Sequence, residues 1–275
     1  MQLKNRPKIA AVVAVCALAL AACGSDSSAG AGDPSAGSED GVTLVSAGKL
    51  TVCTHLPYAP FQFNDDSGET VGFDIDLVDL VAERLGAEQT IIDTPFEGIK
   101  SGEDMATGKC DIAAAGMTIT EDRKEAILFS EPYFDATQAL LVPNDSAVKD
   151  LAGLQGKKLG AQSATTGLDY ANANAEDCGC EIVEFQDLAS QTQALMTGQV
   201  DAAINDLPVW TEALKTNDGK AKIAAQFDTG EQYGLGMKLD NTALKTVVDE
   251  VLAGAKADGT YDEIYTEWIG ETPQS

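Results

Sequence analysis

Apolar residues recur at Ile75, Leu77, Val78, Leu80, Val81 and Leu85, a spacing that lays them along one side of a helix from Asp74 to Leu85. Asp74 stands at its start as a cap and Gly86 just past its end. Short β-branched or apolar runs read as strands: Leu50 to Cys53, Thr90 to Thr94, Ile112 to Ala115, Ala139 to Val142, Gly156 to Ala161, Ile182 to Phe185, Asp201 to Ile204 and Tyr233 to Met237. Between them, helices are expected in a polar stretch through Met105, at Glu121 to Phe129, Leu168 to Asn174, Ala189 to Met196, Ala243 to Ala257 and, after a break at Gly259, Tyr261 to Trp268. Strands and helices alternating at these lengths predict an α/β fold with mainly parallel sheets flanked by helices.

The pattern then restarts. Gly156-Lys157-Lys158-Leu159-Gly160-Ala161 resembles the opening Gly48-Lys49-Leu50-Thr51-Val52, and Thr107-Gly108-x-x-Asp111-x-Ala113 returns as Thr197-Gly198-x-x-Asp201-x-Ala203. Two lobes of one plan are expected, the second inserted into the first: lobe 1 over residues 42–136 and 230–275, lobe 2 over 137–229. The chain would then cross twice, near Tyr133 to Thr137 and near Thr229 to Tyr233, making a two-strand hinge.

The N-terminus carries an address. Lys4, Arg6 and Lys8 precede the apolar run Ile9 to Leu20, too short to span a bilayer stably, so residues 1–22 read as an export signal. Leu20-Ala21-Ala22-Cys23 resembles the lipobox of bacterial lipoproteins, which implies lipidation of Cys23. Residues 23–41 read as a solvated tether of Gly, Ser, Ala, Asp and Pro, reaching at most roughly 60 Å. The expected location is therefore the outer face of the cytoplasmic membrane, with membrane contact only through the lipid.

The formal net charge of −26 argues against nucleic acid and anionic lipid head groups as partners. Outside the cell Cys53, Cys110, Cys178 and Cys180 allow three disulfide pairings. Cys178-Gly-Cys180 suits a local loop, whereas Cys53 and Cys110 also read as small buried hydrophobes on strands. One histidine, His55, and no second Cys-x-x-Cys leave no expected metal site and no cofactor.

Chemistry concentrates between Cys110 and Phe134. The strand Ile112 to Ala115 ends at Gly116, where backbone without Cβ approaches a ligand. Thr118 and Thr120 supply hydroxyls and caps, Glu121 and Asp122 suit a helix start, and Arg123 falls in that first turn. Such an arrangement suits a small carboxylate held by bidentate hydrogen bonds. The plainer use of Arg123 is pairing with Glu121 or Asp122.

Taken together, Tyr58-Ala59-Pro60-Phe61, Gly72-Phe73-Asp74-Ile75-Asp76-Leu77, Gly116-Met117-Thr118-Ile119-Thr120-x-x-Arg123, Phe129-Ser130, Tyr133-Phe134, the Gly156-Lys157 strand, Asp201 with Asp206, and Gly259-Thr260-Tyr261 resemble the extracellular solute-binding proteins of polar amino acid ABC transporters, family 3. The resemblance implies a two-lobed type II periplasmic-binding-protein fold, a monomer that closes on an L-amino acid and delivers it to a membrane permease. It also implies that Arg123 grips the α-carboxylate with Thr118, Met117 and the Gly116 region. Asp206 takes the α-ammonium, Tyr58 and Phe96 sandwich the ligand, and the turn of Ser163, Thr165 and Thr166 completes the contacts. A zwitterion entering a cleft needs such opposite partners because it loses hydration.

Where many relatives carry an acid in the first turn, this chain has His55, with Gln162 and Asn205 as expected neighbours and Glu97 within reach. Neutral hydrogen-bonding groups favour a glutamine-like ligand. Glutamate fits if His55 is protonated, and a basic amino acid if Glu97 turns inward. Two rivals stand beside the receptor reading: a periplasmic dehydratase on a prephenate-like acid, with Glu97 as general acid, and an amino-acid-sensing lipoprotein. The expectation is no catalytic residue.

Overall fold

The computed structural model describes residues 41–270. The expected signal (1–22), Cys23 and the tether as far as residue 40 lie outside the described residues. The chain begins with β1 (Lys49–Thr54), β2 (Phe63–Asn64), β3 (Thr70–Val71), α1 (Phe73–Leu85), β4 (Glu88–Asp93), α2 (Phe96–Lys100), α3 (Glu103–Ala106), β5 (Ile112–Ala113), α4 (Glu121–Lys124) and β6 (Ile127–Phe129). It continues through β7 (Phe134–Pro143), a 3-10 turn (Leu151–Leu154), β8 (Lys158–Gln162), α5 (Thr166–Ala173), α6 (Ala175–Cys178), β9 (Glu181–Phe185), α7 (Leu188–Met196), β10 (Ala202–Asp206), α8 (Leu207–Thr216) and β11 (Ala221–Tyr233). It closes with β12 (Gly236–Lys238), α9 (Thr242–Asp258) and α10 (Thr260–Trp268).

Two five-stranded sheets result, in the orders β4-β1-β5-β12-β6 and β11-β7-β10-β8-β9. Each is parallel on one side and antiparallel on the other: β4, β1 and β5 run parallel while β12 opposes β5 and β6, and β8, β9 and β10 run parallel while β7 opposes β10 and β11. The fold is thus the two-lobed α/β arrangement. The chain leaves the first sheet after β6 and returns to it between Tyr233 and Gly236. At the crossing, Phe134 pairs with Tyr233, and Phe61 packs edge-on against both rings at 5.0 and 5.1 Å.

The repeated Thr-Gly-x-x-Asp motif has a structural meaning. Thr107 and Thr197 each donate their hydroxyl to a carbonyl one turn back, and Gly108 and Gly198 each adopt positive φ, 74° and 73°. Asp111 then accepts from the Thr51 amide of β1 at 2.8 Å, and Asp201 from the Lys158 amide of β8 at 2.9 Å. Each aspartate so ties its strand to the first of the parallel strands of its own sheet.

Several elements differ from expectation. The helix expected over Glu121 to Phe129 ends at Lys124, because Ile127, Leu128 and Phe129 pair as a strand with Lys238, Met237 and Gly236. Asp74 does not cap α1: Gly72 does, at φ 135°, where an added Cβ would lie 2.3 Å from the Phe61 carbonyl oxygen. Asp74 is instead fully buried, accepting from the Gly116 amide (2.8 Å) and the Tyr133 hydroxyl (2.7 Å). Burial pushes its carboxyl up to about 7 against those two bonds. The single strand expected over Tyr233 to Met237 is two, broken at Gly234 and Leu235 where the chain changes sheets. Cys53 and Cys110 are buried but not free hydrophobes; they form a disulfide, as do Cys178 and Cys180.

Candidate functional site

Arg123 is positioned by a four-residue helix whose cap, Thr120, accepts from the Arg123 amide at 3.2 Å. Only 5% exposed, its guanidinium lies 5.5 Å above the Phe96 ring, donates through Nη1 to the Thr118 carbonyl (2.7 Å) and through Nη2 to the Ala164 carbonyl (3.1 Å). Carbonyls hold the fork in place without neutralising it, so its charge and remaining N–H groups stay available. Among the described residues Arg123 forms no ion pair with Glu121 or Asp122; Glu121 pairs with Lys124 at 2.7 Å.

Asp206 ends β10, the central parallel strand of the second sheet, just before Leu207 and Pro208 open α8. Its carboxylate does not cap that helix. It accepts from Tyr58 (2.7 Å), Tyr233 and Gln138. Burial, then the nearby Glu231 charge, raise Asp206 to about 6, while the three donors pull it back down. The Tyr58 hydroxyl also lies 2.9 Å from Asn205 Oδ1, so its single proton is shared between two acceptors at the end of β10, with the shorter contact to Asp206.

Between Arg123 and Asp206 lies a cavity. The first lobe lines it with His55, Tyr58, Gln62, Phe96, Ala115, Gly116, Thr118 and Arg123, and the second with Gln162, Thr165, Thr166 and Asp206. Thr165 caps α5, accepting from the Leu168 amide, and presents the helix start to the cavity. Gly116 has φ 53°, and an added Cβ would stand 2.9 Å from Tyr58 Cε1.

One end of the cavity is chemically distinctive. His55 Nδ1 lies 3.0 Å from the Thr94 carbonyl, which only accepts, so Nδ1 donates there, and Nε2 is an acceptor whenever the ring is neutral. Both His55 Nε2 and Gln62 Oε1 are buried without a hydrogen-bond partner. Gln162 Oε1 accepts from Asn205 Nδ2 at 3.4 Å, which leaves the Gln162 amide N–H groups as donors.

The structure brings together ten of the sequence-picked residues and leaves four out of the lining. Met117 is fully buried behind the wall among Cys53, Phe96 and Ile127, and its carbonyl accepts from Gly234. Ser163 turns away, its hydroxyl donating to Glu184 at 3.2 Å. Glu97 is exposed on α2 and absent from the lining, and Asn205 sits one layer behind Gln162. Sequence reasoning missed Gln62 and Ala115, though both adjoin residues it picked, and it missed Gln138, Tyr233 and Glu231, which approach only through the crossing strands.

Comparisons with known proteins bear on the family and the fold. The family model described as bacterial extracellular solute-binding proteins, family 3, matches residues 50–271. The chain is 32% identical over 260 residues to the ABC transporter glutamine-binding protein GlnH of Bacillus subtilis (strain 168), covering 92% of this chain and 93% of that one. It is 28% identical over 267 residues to a probable histidine-binding protein of Neisseria gonorrhoeae, covering 96% and 95%. Among solved structures, an ancestral arginine-binding protein bound to arginine superimposes with a TM-score of 0.77 at 38% identity, over 81% of this chain and 99% of that one.

Proposed function

The chain belongs to the bacterial extracellular solute-binding proteins, family 3, and from that premise we propose that it is the receptor of an amino acid importer, closing on a polar L-amino acid and handing it to an ABC permease. The observation that carries the reading is a buried cation and a buried acid on opposite lobes facing one cavity, Arg123 and Asp206. Arg123 takes the α-carboxylate and Asp206 the α-ammonium, while Tyr58 and Phe96 supply apolar wall. In this reading lobe 1 comprises 42–136 and 230–275, lobe 2 comprises 137–229, and the crossings are the hinge.

Ligand choice follows from the far end of the cavity. Two unpartnered acceptors, His55 Nε2 and Gln62 Oε1, cost about 1–3 kcal/mol each when buried unpaired, so a donor on the ligand recovers that loss. Gln162 offers the complementary donor. An amide meets both requirements, which favours glutamine. A guanidinium meets only the first, and arginine is therefore the second reading; a carboxylate meets neither acceptor.

A thermal-shift screen against the twenty L-amino acids tests this, since a ligand of the folded form raises the melting temperature. The largest shift is expected with glutamine, with arginine next, and an affinity in the micromolar range, on the order of −8 kcal/mol. A shift only with glutamate or aspartate overturns the ligand assignment; no shift with any amino acid overturns the receptor reading.

We further propose that Cys23 is lipidated and holds the protein at the membrane. The Cys23→Ala variant is expected in the medium or periplasm rather than in the membrane fraction. Uptake that is lost in a deletion strain separates an importer from a sensor.

A further inference from the structure

Glu231 lies outside the cavity wall, yet three groups beside the site converge on one of its oxygens. Thr118 Oγ1 donates to Glu231 Oε2 at 3.0 Å, Thr166 Oγ1 at 2.9 Å and Gln138 Nε2 at 3.2 Å. Thr118 belongs to the first lobe, Thr166 begins α5 of the second, and Glu231 stands on β11 just past a register shift between Phe227 and Glu231.

The chemistry of this junction is directional. A carboxylate oxygen only accepts, and both threonine oxygens lie closer to it than the 3.5 Å that separates them from each other, so each hydroxyl turns its single proton to Glu231, while Gln138 Nε2 also donates to Thr166 Oγ1 at 3.4 Å. Each hydroxyl oxygen of these lining residues then has only lone pairs to offer a ligand, so Thr118 is left to meet a carboxylate through its amide and not, as expected, through its hydroxyl. Gln138 joins the same network, with Nε2 shared between Glu231 and Asp206. The wall around Asp206 is thereby made of acceptors, and a group with several N–H donors fits it where a hydroxyl or a second carboxylate does not.

We propose that Glu231 is a positioning residue that fixes the hydroxyl protons of Thr118 and Thr166, so that both oxygens accept from the α-ammonium of the ligand and do so together only when the lobes are closed. The proposal rests on the reading that the cavity takes an amino acid. A Glu231→Gln change keeps the shape but introduces an N–H donor, which reverses at least one hydroxyl toward the cavity. The ammonium then meets a donor.

The experiment is calorimetric titration of the purified chain and its Glu231→Gln variant with L-glutamine, L-arginine and L-histidine, each beside the acid that lacks its α-amino group. The variant is expected to lose about tenfold or more in affinity for the amino acid that wild type binds, while affinity for the des-amino acid changes less than about threefold. Thr118→Val should show the same selective loss, and the double variant little further loss, because the two residues act as a unit. Equal losses for the amino acid and its des-amino partner, no loss, or additive losses in the double variant overturn the role of Glu231 and leave the receptor reading standing. Failure of wild type to bind any of the three amino acids overturns both.

Discussion

The hydroxyl of Tyr58 donates to the carboxylate of Asp206 across the cleft, 2.7 Å apart in space and 148 residues apart in the chain. One bond thus joins a turn of the first lobe to the end of the central parallel strand of the second. A Tyr58→Phe change keeps the ring against Gly116 but removes this charge-assisted bond, worth about 1.5–3 kcal/mol. Affinity for the amino acid should fall at least about tenfold, and the melting temperature of the ligand-free protein should fall as well because the bond does not depend on a ligand, as titration and calorimetry would read. Unaltered affinity would remove Tyr58 from closure.

Arg123 offers a sharper case. Its guanidinium is held by two backbone carbonyls and its charge is felt by Asp169, Asp206 and Glu231, so its departure removes the fork and leaves those acids uncompensated beside the site. Arg123→Ala should abolish measurable binding, a loss of at least about 100-fold, with the circular dichroism of the native fold retained. Arg123→Lys should recover little, since an ammonium does not reproduce the planar fork. Near-native affinity in Arg123→Ala would sink the carboxylate assignment.

Acid should act on this protein in two opposite ways. The carboxyl of Asp206 is raised from the ordinary 3.8 to about 6, chiefly by burial, so between those values the folded chain binds more protons than the unfolded one. Stability of the ligand-free form is then lowest above pH 6 and rises as pH falls toward 4, with Asp74, raised to about 7, contributing in the same direction. The two-unit shift of Asp206 corresponds to roughly 3 kcal/mol. Ligand affinity has the reverse sign, because the ammonium needs the ionised carboxylate: it should be level above pH 7 and drop about tenfold per unit well below 6. Titration and urea unfolding at matched pH would read both trends, and affinity unchanged from pH 8 to 5 would contradict the role of Asp206.

The two disulfides should differ in weight. Cys53–Cys110 closes a loop with a sequence separation of 57, whereas Cys178–Cys180 separates its ends by 2. Replacing Cys53 and Cys110 by alanine should lower unfolding free energy by about 2–4 kcal/mol, and replacing the other pair by well under about 1. Because Cys53 lies behind Phe96 and Met117, the first replacement should also weaken ligand binding, which calorimetry of the two variants would separate from stability.

Local signals in the sequence carried most of the architecture. Periodicity found α1, α7, α9 and α10, and the twin Thr-Gly-x-x-Asp segments announced two lobes because each packs the same turn against the first parallel strand of its own sheet. The chain between Glu121 and Phe129 misled, since its acids and basic residues suit a helix while the partner that makes Ile127 to Phe129 a strand lies more than a hundred residues later, at Gly236 to Lys238. Strand β11 and helix α8 were invisible for a related reason: β11 is half exposed and irregular along its length, and α8 opens on Asp206 and Pro208, which read equally well as a turn. Arg123, Asp206, Tyr58 and Phe96 were legible through their motifs. Gln62 was not, because nothing in its neighbours tells which face of the aromatic turn it takes, and Glu231 was not, because its role exists only where three distant segments meet.

The division of the cavity wall bears on the order of events. His55, Gln62, Phe96 and Arg123 all stand on the first lobe, while Asp206 and Thr166 stand on the second. In the proposed reading, the ligand's carboxylate and the donors of its side chain are met on the first half, and Gln162 and Asp206 of the second complete the side-chain and ammonium contacts only on enclosure. Encounter frequency is then a property of the first half, and the time a captured molecule stays is a property of the second, where Gln162 also separates an amide from a guanidinium. Capture rate and residence time would be separately adjustable, so a lineage could lengthen or shorten the hold on its nutrient without changing how fast it finds that nutrient.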